Sequence, residues 1–146
     1  MDFLGKGLAF PFRFDRRSGG TASSDSQTRQ YQHIRESIRQ ILGTRLGERF
    51  MRPDFGSRLH ELVFESNNAL LHGLARHYIT EALHRWEKRI LLTGIHFDTR
   101  AVTVDQHLLP IRIDYRIIAA HVQDNLVYPF YREPQPEQPR NRHAEP

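Results

Sequence analysis

The chain has 146 residues, 38% of them apolar and 26% charged, with no cysteine and a formal net charge of +4. That length suits one domain with a substantial core, and the lack of cysteine excludes a disulfide framework, a thiolate metal site and a cysteine nucleophile. No apolar run approaches the ~18–20 residues of a membrane span, and the opening, with Asp2 and Pro11, lacks the pattern of a secretory signal.

The first segment is an apolar and basic arm carrying Phe3, Leu4, Leu8, Phe10, Phe12 and Phe14. Its alternation from Ala9 to Asp15, interrupted by Pro11, predicts an extended arm or edge strand. A small polar linker follows over 18–28, so residues 1–25 are expected to stand apart from an ordered domain at 26–131. A helix is predicted from about Ser26 to Leu42. Tyr31, Ile34, Ile38, Ile41 and Leu42 form its apolar stripe, with Arg35 and Glu36 mostly off it. Gly43 stands where a C-terminal cap is expected.

Three glycines and a proline exclude a regular element over 43–56. A short helix is expected after Ser57. A long one follows from about Asn68, its cap, to Lys88. Leu70, Leu71, Leu74, Tyr78, Ala82 and Trp86 supply its stripe, with Ala75 flanking. After Arg89 the period becomes strand-like. Residues 90–97 read as a strand with a bulge at Gly94, 98–100 as a tight turn, and 101–105 as a short strand. In the stretch 109–120, Ile111, Ile113, Tyr115 and Ile117 alternate with Arg112, Asp114 and Arg116. Residues 125–131 carry Pro129 and so predict an edge or terminal strand. The tail over 132–146 has four prolines and few apolar residues, and is expected to be disordered. Helices followed by adjacent strands predict an α+β domain, with the helices packed on a small, mainly antiparallel sheet.

No constellation for catalysis emerges. His60-Glu61 has no second histidine four residues on, and His72, His77 and His84 are spaced off adjacent helix turns, so no metal or cofactor is expected. Glu48, Asp54, Glu61, Glu65, Glu81 and Glu87 contain no pair that spacing singles out for glycosidase work. For Glu48, Asp54 and Glu87 the simpler expectation is ion pairing with Arg49, Arg52 and Arg89. The basic residues, all arginine except Lys6 and Lys88, are scattered among acids, which favours protein interfaces over nucleic acid. Two places stand out. The loop 48–56 brings Glu48, Arg49, Arg52 and Asp54 together with two aromatics, either as an internally paired loop or as a partner surface. At the helix-to-strand junction 86–90, a helix C-terminus accounts for Lys88 and Arg89 but not for Glu87.

The run IRESIRQILGTRLGERFMRPDFGSRLHELVFE (34–65), with RWEKRI, IRIDYRI, NLVYPFY and the opening GKGLAFPFRFD, resembles the baseplate-wedge family of contractile phage tails, type VI secretion and extracellular contractile injection particles. The resemblance covers roughly residues 4–131. It implies a structural protein whose fold is like a sheath-subunit core, with no cofactor. It implies docking on the helical bundle of the larger wedge proteins partly through Glu87 and Arg89 of the junction, with Lys88 between them; the loop residues Glu48, Arg49, Arg52 and Asp54 stay a second candidate partner surface on the residue reading alone. It further implies sheath initiation by strand exchange, for which the strands carrying Ile111, Ile113, Tyr115, Leu126, Tyr128 and Phe130 are the candidates. Partners would be wedge, sheath and inner tube or hub proteins, not nucleic acid or membrane. About six copies would be assembled in the bacterial cytoplasm into a particle released extracellularly. The family's old label, lysozyme-like, supplies the alternative of a peptidoglycan-cleaving muramidase. Where the family has Glu-Pro-Arg, this chain has Glu87-Lys88-Arg89. Lys88 keeps an N–H that proline lacks, so the helix is expected to run slightly further here.

Overall fold

The computed structural model describes residues 27–100 and 106–133. The expected arm at 9–15, the strand at 101–105 and most of the proline-rich tail lie outside the described residues. The elements run α1 (Gln27–Gly43), a 3-10 turn (Leu59–Leu62), α2 (Ala69–Trp86), β1 (Ile90–Phe97), β2 (Leu108–Ile117) and β3 (Val122–Tyr131). Two helices pack on an antiparallel sheet of order β1-β2-β3.

In α1 the stripe of Ile34, Ile38, Ile41 and Leu42 is buried as its spacing requires, with Tyr31 partly covered. Glu36 departs from expectation: it is buried, and Gln32 donates to its carboxylate. Gly43 is the last helical residue rather than a left-handed cap, since among the described residues the positive-φ glycines are Gly47 and Gly56. Thr44 closes this end instead, with its N–H and its hydroxyl both donating to Gln40 O.

Asn68 caps α2, its side chain accepting from Leu71 N at 2.9 Å. The buried face of α2 is Leu71, Ala75, Ile79, Ala82 and Leu83. Leu70, expected in the core, is exposed, while Leu74, Tyr78 and Trp86 only border it. The apolar band of α2 is wider than one stripe, and packing against α1 and β1 selects its Ile79 side. The helix ends at Trp86, two residues earlier than expected. Glu87 adopts φ −116°, ψ 81°, and its N–H still reaches Leu83 O. The extra N–H of Lys88 therefore does not prolong the helix.

In β2, Leu109, Ile111, Ile113, Tyr115 and Ile117 are fully buried, facing Leu126 and Phe130 on β3. The register of β1 shifts between Leu92 and Gly94. This bulge restores the alternation, so Ile95 and Phe97 face the core beside Ile90 and Leu92 instead of turning to the opposite face.

Candidate partner-binding surfaces

The junction from α2 to β1 is built around Glu87. Its side chain is only 3% exposed, and Arg89 grips it in a bidentate pair, Nε to Oε1 and Nη2 to Oε2 both at 2.7 Å. Burial alone would push this carboxyl up. The hydrogen bonds from Arg89 and from Ser37 on α1 outweigh it and hold the carboxyl below its ordinary range. Glu87 thus ties α1, α2 and β1 together. Arg89 keeps 29% of its side chain exposed, and Lys88 lies exposed between them. Whatever this junction presents outward, it presents through Arg89 and Lys88, with Glu87 behind.

Residues 44–57 form a loop that crosses itself. Ser57 N donates to Thr44 O, Ser57 Oγ to Leu42 O, and Gly47 N to Pro53 O. At the crossing Gly56 has φ +120°, and a Cβ there would lie 2.3 Å from Thr44 O. Only glycine fits that approach. The loop seats against the end of α2: Phe55 meets Trp86 with centroids 5.0 Å apart, Arg52 lies over Trp86, and Arg85 bonds Asp54 at 3.3 Å. Arg49 lies 4.1 Å over the Phe55 ring, and the Glu48 carboxylate accepts from Arg45 N at 2.8 Å. The four charged residues singled out from the sequence are thus drawn into the loop's own architecture. Phe50, one of the two aromatics of this loop, and Met51, which no sequence pattern marked, are 92% and 83% exposed.

The third surface is the sheet edge. Strand β2 is paired on both sides, so Ile111, Ile113 and Tyr115 offer neither free backbone nor accessible side chains. Among the described residues β3 pairs on one side only. The side chains of Leu126 and Phe130 are buried and that of Tyr128 is partly covered, so these three face the core. Which backbone groups of β3 face outward follows from the prolines. Pro110 stands opposite Pro129, and two residues without N–H can meet only at a non-hydrogen-bonded position. The bond from Arg132 N to His107 O fixes the same parity. Even-numbered residues of β3 therefore bond β2, while Gln123, Asn125 and Val127 turn N–H and C=O away from it, Asn125 N donating to Asp124 Oδ1 at 2.8 Å. The sequence carried this signal in Pro129, whose missing N–H marks the outward parity. Strand β3 is anchored near its start by Arg35 of α1, which forks onto Asp124, while Tyr115 donates to the same carboxylate at 3.0 Å. Burial raises the Asp124 carboxyl, but the Arg35 bond prevails and keeps it low; burial also pushes the Tyr115 phenol up.

No group of three or more His, Asp or Glu among the described residues is placed to hold a metal ion, and no described helix is long and apolar enough to cross a membrane.

A family model described as baseplate wedge protein gp25 matches residues 28–122. The chain is similar to a Geobacter sulfurreducens protein, described as a candidate tail lysozyme, whose crystal structure shares 44% identity. That match has a TM-score of 0.65 and covers 70% of this chain and 91% of the other. A chain of the anti-feeding prophage baseplate shares the fold at 21% identity and TM-score 0.58, covering 88% of this chain and 86% of that one. A chain of the post-contraction pyocin R2 baseplate aligns at 24% identity and TM-score 0.47, over 84% of this chain and 99% of that one. No curated protein matches the sequence.

Proposed function

The chain belongs to the baseplate wedge protein gp25 family, a structural component of contractile tail-like particles, and we propose that it docks on the larger wedge proteins and starts sheath assembly by accepting a strand on β3. The observation that carries the second half is the open β3 edge, where Gln123 and Val127 offer main-chain donors and acceptors and Asn125 between them offers its C=O, its N–H being held by Asp124. For the wedge contact, the support is the exposed part of Arg89 beside Lys88, held in place by buried Glu87. In this reading Glu87 is a positioning residue. Arg49, Arg52 and Asp54 similarly hold the neighbouring loop in shape. The ordered domain at 26–131, the arm before it, assembly in the bacterial cytoplasm, about six copies and release with the particle belong to the same proposal.

A muramidase is the weaker reading, and the acids speak against it. A general acid needs a carboxyl raised by its surroundings. Here the resolved shifts, at Glu61, Glu87, Asp114 and Asp124, all run downward, each acid paired with an arginine. Asp54 likewise faces Arg85 and Arg52. We therefore propose that the chain is not an enzyme.

The test exploits backbone parity. Val127→Pro removes an outward N–H and leaves the bonds to β2 intact, whereas Leu126→Pro removes an inward one. Val127→Pro is expected to stay folded, keep binding the wedge proteins and lose sheath nucleation, while Leu126→Pro loses the fold. Normal sheath nucleation on folded Val127→Pro refutes strand exchange at this edge. Clearing of a cell-wall suspension by the purified protein refutes the non-enzymatic reading.

A further inference from the structure

Phe50 and Met51 form the tip of the loop 44–57, and among the described residues neither packs against the core. Arg52 N donates to Arg49 O across them, closing a turn with Met51 at φ +64°. That position of such a turn favours glycine; a methionine in it is a strained choice that keeps an apolar side chain at the tip. The base beneath is rigid. Gly47 N bonds Pro53 O at 2.7 Å, Phe55 N bonds Arg52 O at 3.0 Å, Arg49 lies over the Phe55 ring, and Phe55 meets Trp86 in a tilted contact. Two adjacent large apolar side chains, 92% and 83% exposed on a braced loop, are what an interface anchor requires: much area, already ordered.

The charges around the tip indicate its partner. Glu48 is engaged with Arg45 N, and Asp54 with Arg85 and Arg52. Among the described residues, Arg45 and Arg49 have no carboxylate within ion-pair distance. The rim is therefore left positive. A second copy of this chain would bring the same arginines against them. The base of the loop rests on Trp86 through Phe55 and Arg52, and Trp86 is next in sequence to the junction that carries Glu87, Lys88 and Arg89, so both features are built on the end of α2. We propose that Phe50 and Met51 insert into an apolar pocket flanked by carboxylates on a larger wedge protein, and that this tip supplies more of the docking affinity than the charged residues beside it. The proposal rests on the structural reading above and names the residues through which that docking works.

The two requirements, shape and anchor, separate at Met51. Met51→Gly removes the side chain while giving the turn the residue it favours, so the fold should hold at least as well as in the wild type. Phe50→Ser removes the other anchor. Full-length wild type and both variants are titrated, in separate channels, with the purified larger wedge proteins of the same particle, with its sheath protein, and with vesicles of phosphatidylglycerol and phosphatidylcholine. Each variant is expected to bind the wedge proteins about tenfold more weakly or worse, with unchanged sheath binding and melting temperature. Wedge affinity within about twofold of wild type in both folded variants overturns the proposal. So does tip-dependent binding to vesicles, or a tip-dependent dimer, with wedge affinity unaffected. A wild type that binds neither wedge nor sheath protein overturns the structural reading and the tip with it; the variants alone failing on the wedge channel separates the two cases.

Discussion

Replacing Glu87 with glutamine keeps the volume of the side chain and removes its charge. In the wild type the carboxylate is almost wholly buried, receives two 2.7 Å bonds from Arg89 and joins α1 to the α2–β1 corner. Losing one partner of a fully buried pair costs about 3–5 kcal/mol. Arg89 is 29% exposed and can turn toward water, so a loss of about 2–3 kcal/mol is expected. Urea unfolding reads this as a midpoint lowered by roughly 1–2 M at an m-value of about 1.5 kcal/mol/M. The pH dependence gives a second reading. The Glu87 carboxyl is held down in the folded state, so its contribution is complete above its unfolded value of about 4.3 and is lost as pH falls through the lower folded value. The gap between wild type and Glu87→Gln is therefore expected to be constant near neutrality and to close in acid. A loss below about 0.5 kcal/mol at pH 7, or a gap that does not narrow in acid, refutes the view that Glu87 acts as an internal tie.

Gly56→Ala forces a Cβ to 2.3 Å from Thr44 O at a φ of +120°, and a loss of about 3–5 kcal/mol is expected in thermal melts. Tyr115→Phe deletes a bond to Asp124 that Arg35 continues to satisfy. It should lower stability by about 1–1.5 kcal/mol, and Arg35→Ala should make the same change more harmful in a double-mutant cycle. Asn68→Ala removes the cap on Leu71 N and is expected to cost about 1 kcal/mol by denaturant unfolding.

Periodicity made α1 and β2 legible because each buries one clean face: Ile34, Ile38 and Ile41 on the helix, and Ile111, Ile113, Tyr115 and Ile117 on the strand. The bulge was legible because glycine marks it. In α2 the pattern was ambiguous, since Leu70 and Leu74 compete with Ile79 and Leu83 for the inward side, and only the neighbouring elements decide. The end of α2 is not legible in the sequence, because the N–H of Lys88 is a local preference and the bidentate hold of Arg89 on Glu87 is a contact that only the folded corner makes. The candidate site shows the same limit. Sequence places Glu48, Arg49, Arg52 and Asp54 in one loop, but not which of them bond each other. Nor does the loop's pattern say which apolar residue turns outward: Phe50 and Met51 are exposed, whereas Phe55 packs on Trp86.

The brevity of the β3 edge bears on how firmly any one contact there can hold. Gln123 and Val127 each offer one N–H and one C=O and Asn125 one C=O, its N–H being taken by Asp124, roughly five hydrogen bonds from these three residues, and Pro129 withholds a donor beyond them. At ~0.5–1.5 kcal/mol net apiece, they barely offset the ~4–15 kcal/mol lost when a free strand is immobilised. A single added strand would come and go. A ring of subunits engaged at once has no such freedom, because each bound arm raises the effective concentration of the next. In the proposed assembly, commitment would thus be a property of the closed ring: individual contacts stay reversible enough to correct a misplaced arm, and the completed circle holds by avidity.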